Sequence, residues 1–148
     1  MNYCRADEPL MPADAGEAPV FALLRVARRL QERLEHTLDT IGLSSAKFMA
    51  LEALVRAGAP LTLGELAGEL QCVRSNITQL VDRLEADGLV QRVNDPADRR
   101  AVRAMITPLG SARQAAGANA IATLQRELAS RVETADREQF FRVLAALA

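Results

Sequence analysis

The chain has 148 residues, of which 49% are apolar and 25% charged, a composition typical of one globular domain and unlike that of a disordered or disulfide-rich chain. Two cysteines without a Cys-x-x-Cys pair and a single histidine argue against an enzyme, so we expect no catalytic residues, metal or cofactor. The net charge of −1 does not by itself indicate a nucleic-acid partner. The sequence shows no apolar run of membrane-spanning length and no signal peptide, which predicts a cytoplasmic protein.

The first part of the chain is predicted to be a tail followed by two helices. Residues 1–19 are rich in proline, small and acidic residues and are expected to form a disordered tail. From Val20 onward, apolar residues recur every three to four positions with charged residues between them, which predicts a long amphipathic helix ending at Gly42. Ser44 is a good N-cap for a second helix, which Gly58 ends.

Two shorter helices come next. Thr62 and Glu65 have the spacing of a capping box, which predicts a short helix through about Leu70. After a turn at residues 71–73, a further helix is predicted to run to Asp87. Helix, three-residue turn, helix is the order of a helix-turn-helix, whose second helix is the recognition helix.

The remaining segments complete the predicted fold. Apolar residues on either side of the polar centre 94–100 predict a two-stranded hairpin. Thr107 and Pro108 are a favourable N-cap and first helical residue for a long helix, and a last helix begins at about Ala135. The predicted fold class is therefore mainly α with a small β-hairpin wing: a winged helix-turn-helix domain plus terminal helices.

The polar face of the recognition helix and the wing hold the candidate DNA-binding residues. In a winged helix-turn-helix this helix enters the major groove, and the hairpin reaches the flanking backbone or the minor groove. The candidates on the helix are Arg74, Ser75, Asn76, Thr78 and Gln79, and those on the wing are Arg92, Arg99, Arg100 and Arg103. Residues 72–103 hold six arginines against five acidic residues, so the alternative is that these arginines are solvated or paired with nearby acids.

A family resemblance appears in residues 75–107, which read SNITQLVDRLEADGLVQRVNDPADRRAVRAMIT and are followed by Pro-Leu-Gly. This segment resembles the MarR family of bacterial transcription regulators, with its Leu-Val-Asp-Arg-Leu-Glu, Gly-Leu-Val-x-Arg, Asp-Pro-x-Asp-Arg-Arg and Leu-Thr-x-x-Gly motifs. The resemblance implies that Ser75, Asn76, Thr78 and Gln79 face the bases and that Arg99 lies at the wing tip. It also implies a salt bridge between Asp82 and Arg100 that ties the recognition helix to the wing.

The resemblance also implies a homodimer bound to a pseudo-palindromic operator in double-stranded DNA. In this interpretation residues 20–148 form a single domain, with residues 20–42 and 108–147 as dimerisation helices and residues 43–107 as the winged helix region. The last two helices carry more apolar side chains than one small domain needs, which favours a dimer. The alternative is that these side chains pack only within one chain.

The function that follows is a sequence-specific DNA-binding regulator, a repressor released by a small-molecule effector or, as a second route, by oxidation. Phe21, Phe48 and Met49 are candidates for the wall of an effector site. Cys4 lies in the tail, and Cys72 is expected to be a small buried apolar residue. The alternative function is a helical dimeric protein-interaction module without specific DNA binding.

Three further residues carry expectations that the structure can test. Val73 stands where a capping Ser, Thr or Asp is commoner, and Gln71 stands where the turn often has glycine. The recognition helix is therefore expected to begin a residue or two late. His36 is expected to be a surface or interface residue rather than a ligand.

Overall fold

The computed structural model describes residues 19–95, 101–131 and 134–146. The helices in these ranges are α1 (Pro19–Asp39), α2 (Ser45–Ala57), α3 (Leu63–Glu69), α4 (Arg74–Ala86), α5 (Pro108–Ser130) and α6 (Thr134–Ala146). The strands are β1 (Leu61–Thr62), β2 (Val90–Asn94) and β3 (Val102–Ile106). This arrangement confirms the predicted class, mainly helical with a small antiparallel wing. No helix of the described ranges is long and apolar enough to cross a membrane.

The fold divides within α1. Residues up to Arg33 belong to one unit, and Leu34–Ala148 form the other. The predicted tail, residues 1–19, lies outside the described residues except for Pro19, which begins α1.

Local capping interactions fix where the helices begin, as the sequence predicts. The Ser44 hydroxyl accepts a hydrogen bond from the first turn of α2 at 3.3 Å. The capping box is complete, because the Thr62 amide donates to the Glu65 carboxylate at 2.7 Å and the Glu65 amide donates to the Thr62 hydroxyl at 3.1 Å. The Thr107 hydroxyl accepts from the amide of Gly110 at 3.0 Å and starts α5.

The wing has one strand more than the predicted hairpin. Strand β3 pairs with β2 on one side and with β1 on the other, with Leu61 opposite Ala104 and Thr62 opposite Arg103. Strand β1 is two residues long, too short to show an alternating pattern in the sequence. Because Thr62 is also the N-cap of α3, this strand joins the helix-turn-helix directly to the wing.

The turn between α3 and α4 is a helix-ending motif with an unusual residue. Gln71 has a left-handed φ of 51°, while its amide donates to Gly68 and the Cys72 amide donates to Ala67 at 3.0 Å. Helix α4 begins at Arg74, directly after this turn, so the expected late start is wrong. The prediction that Cys72 is buried is also wrong: the left-handed residue turns the chain away from α3, and Cys72 is exposed.

The core lies between α2, α3, α4 and the sheet, with Leu51, Leu66 and Leu84 fully buried. Helix α5 approaches the start of the sheet so closely that a Cβ at Gly110 would overlap the carbonyl oxygen of Leu89. This contact explains why the helix start needs a glycine. Phe48, a candidate for the wall of an effector site, is partly buried and packs against this core; its role towards an effector stays a prediction.

Candidate nucleic-acid interface

Helix α4 has one buried face and one exposed polar face. Ile77, Val81 and Leu84 point into the core, with Ile77 only 1% exposed. The face opposite them is exposed and brings together the five helix residues predicted from sequence: Arg74, Ser75, Asn76, Thr78 and Gln79. The predicted exposure is therefore observed, while their contact with DNA stays a prediction.

The side chains of this face are almost without partners in their own chain. Among the described residues, no hydrogen bond or ion pair engages the side chains of Arg74, Ser75, Asn76 or Gln79, and Thr78 donates only to the backbone of Arg74 at 3.2 Å. The first turn of α4 has no acidic residue. A row of uncharged donors and acceptors with one arginine is thus free to bind a polar, negatively charged surface.

The acidic residues of α4 lie at its other end, and each is paired with a base from another element. Asp82 and Glu85 both bind the Arg92 guanidinium, and Glu85 also accepts from the Arg92 amide at 3.1 Å. The hydrogen bond to Asp82, followed by that to Glu85, raises the pKa of Arg92 above its usual value. Asp87 binds the ammonium group of Lys47 in α2 at 2.6 Å.

Arg92 thereby joins the recognition helix to the wing, because it lies on β2 while its partners lie on α4. The sequence predicted Arg100 as the partner of Asp82 and Arg92 as a phosphate contact. Arg99 and Arg100 lie outside the described residues, so the bridge to Arg100 and the wing-tip role of Arg99 stay predictions. The signal for the observed pair is the short turn that brings β2 back beside the last turns of α4.

A second ion-pair cluster lies at the base of the wing. The Arg103 guanidinium binds the Asp95 carboxylate at 2.7 Å, the Glu65 carboxylate at 3.4 Å and the Pro60 carbonyl oxygen at 3.1 Å. Asp95 is 6% exposed, although its sequence context is that of a polar loop. Like Arg92, Arg103 is thus held by acidic residues, which was the alternative for these arginines. Contacts of either residue with phosphate remain untested.

Glu65 has a double role in this cluster. It completes the capping box of α3 and also faces Arg103. Hydrogen bonds from the Thr62 amide and the Thr62 hydroxyl, with a smaller contribution from the charge of Arg103, lower the pKa of Glu65 below its ordinary value of 4.5. The sequence predicted the capping box and missed the ion pair, since nothing local indicates a partner 38 residues away.

Large apolar side chains are exposed on the terminal helices. In the unit that ends at Arg33, α1 exposes Val20, Phe21 and Leu24. In the other unit, α6 exposes Phe140, Phe141 and Val143, and the two phenylalanine rings meet edge to face with centroids 5.7 Å apart. Exposed apolar helix faces of this kind are typical of surfaces that another chain covers.

A cavity of about 420 Å³ opens where α1 ends and α2 begins. Its lining is polar and apolar in equal parts and includes Glu35, His36, Leu43 and Lys47. His36 is exposed there, which confirms its predicted surface position. The residues expected to form an effector site are absent from this lining, and Met49 is an exposed side chain of α2.

Comparison with known proteins finds a family that part of the chain matches. The sequence model of the MarR family matches residues 41–101 of this chain. The HTH-type transcriptional regulator YsmB of Bacillus subtilis is 35% identical over 89 residues, and the HTH-type transcriptional repressor YetL of the same organism is 33% identical over 102 residues. These matches cover 60% and 68% of this chain and 60% and 61% of the relatives, so the chain matches about three fifths of their length.

A solved structure with the same fold is MepR, a transcription regulator of a multidrug efflux pump in Staphylococcus aureus. It superposes with a TM-score of 0.75 over 88% of this chain and 96% of MepR, at 17% sequence identity, a likeness that shows the fold alone. The matched segment contains α2, α3, α4 and β2. The segment of this chain that holds the helix-turn-helix and strand β2 thus matches the MarR family.

Proposed function

We propose that this protein is a sequence-specific DNA-binding regulator of transcription that acts as a homodimer. The observation that carries the proposal is the exposed face of α4, where five polar residues without a carboxylate have almost no partners in their own chain. Such a face is complementary to the major groove, whose edges present hydrogen-bond donors and acceptors between two rows of phosphates.

Each residue type on this face has a chemistry that suits DNA. The amides of Asn76 and Gln79 can bind the N6 and N7 atoms of adenine with two hydrogen bonds each. The hydroxyls of Ser75 and Thr78 bind bases or phosphates, and Arg74 binds a phosphate or a guanine. The proposed site thus combines base contacts that give specificity with phosphate contacts that give affinity.

The wing contributes in two ways in this proposal. Arg99 and Arg100 enter the minor groove, where the negative potential attracts guanidinium groups. Arg92 and Arg103 are already bound by carboxylates and act mainly by holding the wing in place against α4 and β1. The paired acids of α4 then no longer repel the phosphates.

The dimer is supported by the exposed apolar residues of α1 and of α6, which a second copy would cover. A symmetric dimer presents two recognition helices to two half-sites about one helical turn apart, which calls for a pseudo-palindrome of roughly 20 bp. A MepR variant of the same fold has been solved bound to an oligodeoxyribonucleotide, with a TM-score of 0.63 to this chain.

We further propose that the protein is a repressor and that a small molecule releases it from DNA. YetL, one of the relatives, is a repressor by name. A ligand releases the operator only to the extent that it binds the DNA-free spacing of the two recognition helices more tightly than the DNA-bound spacing. Oxidation is the second route, for which Cys72 supplies an exposed thiol.

The experiment that tests the proposal selects bound duplexes from a random pool at low salt and then measures affinity against salt concentration. We expect a pseudo-palindrome of roughly 20 bp and an affinity that falls steeply as salt rises, because bound phosphates release counterions. Repeating the selection with oxidant tests the second release route. If no duplex is enriched, or if binding does not depend on salt, the protein-interaction module becomes the better account.

A further inference from the structure

Val73 is an exposed apolar residue at the start of the recognition helix. It is 64% exposed, the most exposed of the large apolar side chains in the described ranges. It occupies the N-cap of α4 and makes no capping hydrogen bond. Cys72, immediately before it, is also exposed, so the chain presents two adjacent apolar side chains at this end of α4.

Neither folding nor packing explains a valine at this position. A Ser, Thr, Asp or Asn at an N-cap stabilises a helix by satisfying one of its first amides, whereas valine is among the poorest capping residues. Its exposed fraction shows that it contributes little to the core. The position therefore reduces the stability of α4, which points to a partner outside the chain.

The surroundings of Val73 indicate what that partner is. Asn76 follows three residues later and is the third residue of α4, and this is the spacing at which the side chains of an N-cap residue and of the third helical residue come close in a capping box. The first turn of α4 has no carboxylate, and Glu69, the last acidic residue before the turn, binds Arg56 at 2.5 Å. An apolar group beside a free amide, without nearby unpaired negative charge, matches an A·T pair, which presents a methyl group and the N6 and N7 atoms of adenine in the major groove.

We propose that Val73 contacts the C5 methyl group of a thymine in each half-site, next to an adenine that Asn76 binds. The proposal rests on the proposed DNA-binding function and adds a specificity-determining residue to it. Val73 would give sequence preference through an apolar contact, in addition to the hydrogen bonds of α4.

The test replaces thymines of the selected duplex one at a time by deoxyuridine, which lacks only the C5 methyl group. The full-length protein is compared with Val73→Ser and Val73→Ala, and Val55→Ser is the matched control, since Val55 is an exposed valine on α2. Burying one methyl group predicts that a deoxyuridine in one half-site weakens binding of the unchanged protein about four-fold, and that one in each half-site weakens it about fifteen-fold.

The result we expect is that Val73→Ser binds the thymine and deoxyuridine duplexes equally well and that Val73→Ala, which keeps a smaller apolar side chain, discriminates less than the unchanged protein. Val55→Ser should discriminate as the unchanged protein does. Val73→Ser should also raise the Tm by about 2 to 4 °C, since serine caps the helix, so a loss of discrimination cannot reflect unfolding. The inference is overturned if the protein binds its selected duplex and either no deoxyuridine weakens binding or Val73→Ser still discriminates between the two duplexes. If no duplex is selected at all, the proposed function itself fails.

Discussion

The two ends of helix α4 differ in how their polar side chains are used. In the first two turns, Arg74, Ser75, Asn76 and Gln79 have no side-chain partner among the described residues. In the last turns and the sheet that follows, acidic and basic residues bind each other: Asp82 and Glu85 bind Arg92, Asp87 binds Lys47, and Asp95 binds Arg103. The charged side chains of the second region are paired within the chain, whereas the polar side chains of the first region have almost no partners among the described residues.

This difference shows why the net charge of the chain says little about its function. The segment 72–103 has an excess of only one arginine over its acidic residues. Its described acidic residues at the far end of α4 are paired with bases, so they are screened from a bound polyanion. What distinguishes the proposed DNA-binding face is the position of the carboxylates and their partners. The following predictions alter either the ion pairs at the end of α4 and in the sheet or the turn before α4.

The largest effect on folding is expected for Arg103→Met, which leaves the buried Asp95 carboxylate without this partner. Because the Arg103 side chain is partly exposed, the loss of this partner of a buried carboxylate should cost about 1 to 3 kcal/mol in the free energy of unfolding. Urea unfolding of the free protein measures it. Arg126→Met is the matched control, since Arg126 is exposed and, within the described residues, its side chain binds only the Thr123 hydroxyl. It should change stability by less than about 0.5 kcal/mol. Equal stability of the two variants would mean that Arg103 does not hold the wing.

The next effect is on DNA binding. Arg92→Met leaves Asp82 and Glu85 without their shared base, so the carboxylates repel phosphate and the wing loses its link to α4. We expect affinity for the selected duplex to fall about ten-fold, while stability changes by less than about 1 kcal/mol because the pairs are partly exposed. Asp82→Ala should also weaken binding, although it removes a negative charge. Tighter binding by Asp82→Ala would show that the ion pair has no positioning role.

A smaller effect is expected in the turn before α4. Gln71 has a left-handed φ, which strains any residue with a Cβ. Gln71→Gly removes this strain, but glycine also loses more conformational freedom on folding. The net effect should be a stabilisation of about 0.5 to 1 kcal/mol. Thermal unfolding measures the change. The control, Gln125→Gly in the middle of α5, should instead destabilise by about 1 kcal/mol. A Gln71→Gly variant that is less stable than the unchanged protein contradicts this account of the turn.

The smallest effect concerns pH and Glu65. Folding lowers the pKa of Glu65 below its ordinary value of 4.5. The ionised carboxylate therefore stabilises the folded protein fully at pH values above that ordinary pKa, and this contribution is lost as the pH falls through the lower pKa of the folded state. Glu65→Gln keeps the capping-box pattern and does not titrate. In urea unfolding the variant should be less stable at neutral pH, and the difference should shrink towards acid pH. A difference that is constant with pH would exclude the ionised carboxylate as its cause.

Much of the fold could be predicted because its signals are local. The capping box of Thr62 and Glu65, the Thr107 cap and Gly88 each fix a helix end through residues within a few positions. The exposed face of α4 follows from helical periodicity alone. These features need no knowledge of distant contacts, and the structure confirms them.

The features that the sequence did not reveal depend on contacts between residues far apart in the chain or on a backbone conformation that the residue type does not favour. Strand β1 exists only through pairing with β3, some 40 residues later in the chain. The partners of Arg103 come from three separate segments. The exposure of Cys72 follows from the left-handed conformation of Gln71. Glutamine does not favour that conformation, so the sequence carries no signal for it.

The most direct test of the central claim is the affinity of Gln79→Glu for the selected duplex. This substitution keeps the size of the side chain and places one carboxylate on the face that has none, and Gln125→Glu on the exposed side of α5 is the matched control. If the first turns of α4 lie in the major groove, Gln79→Glu should lose about 100-fold or more in affinity, because like charges at an interface cost several kcal/mol, while Gln125→Glu binds normally. Equal affinity of the two variants would contradict the claim that this face binds DNA.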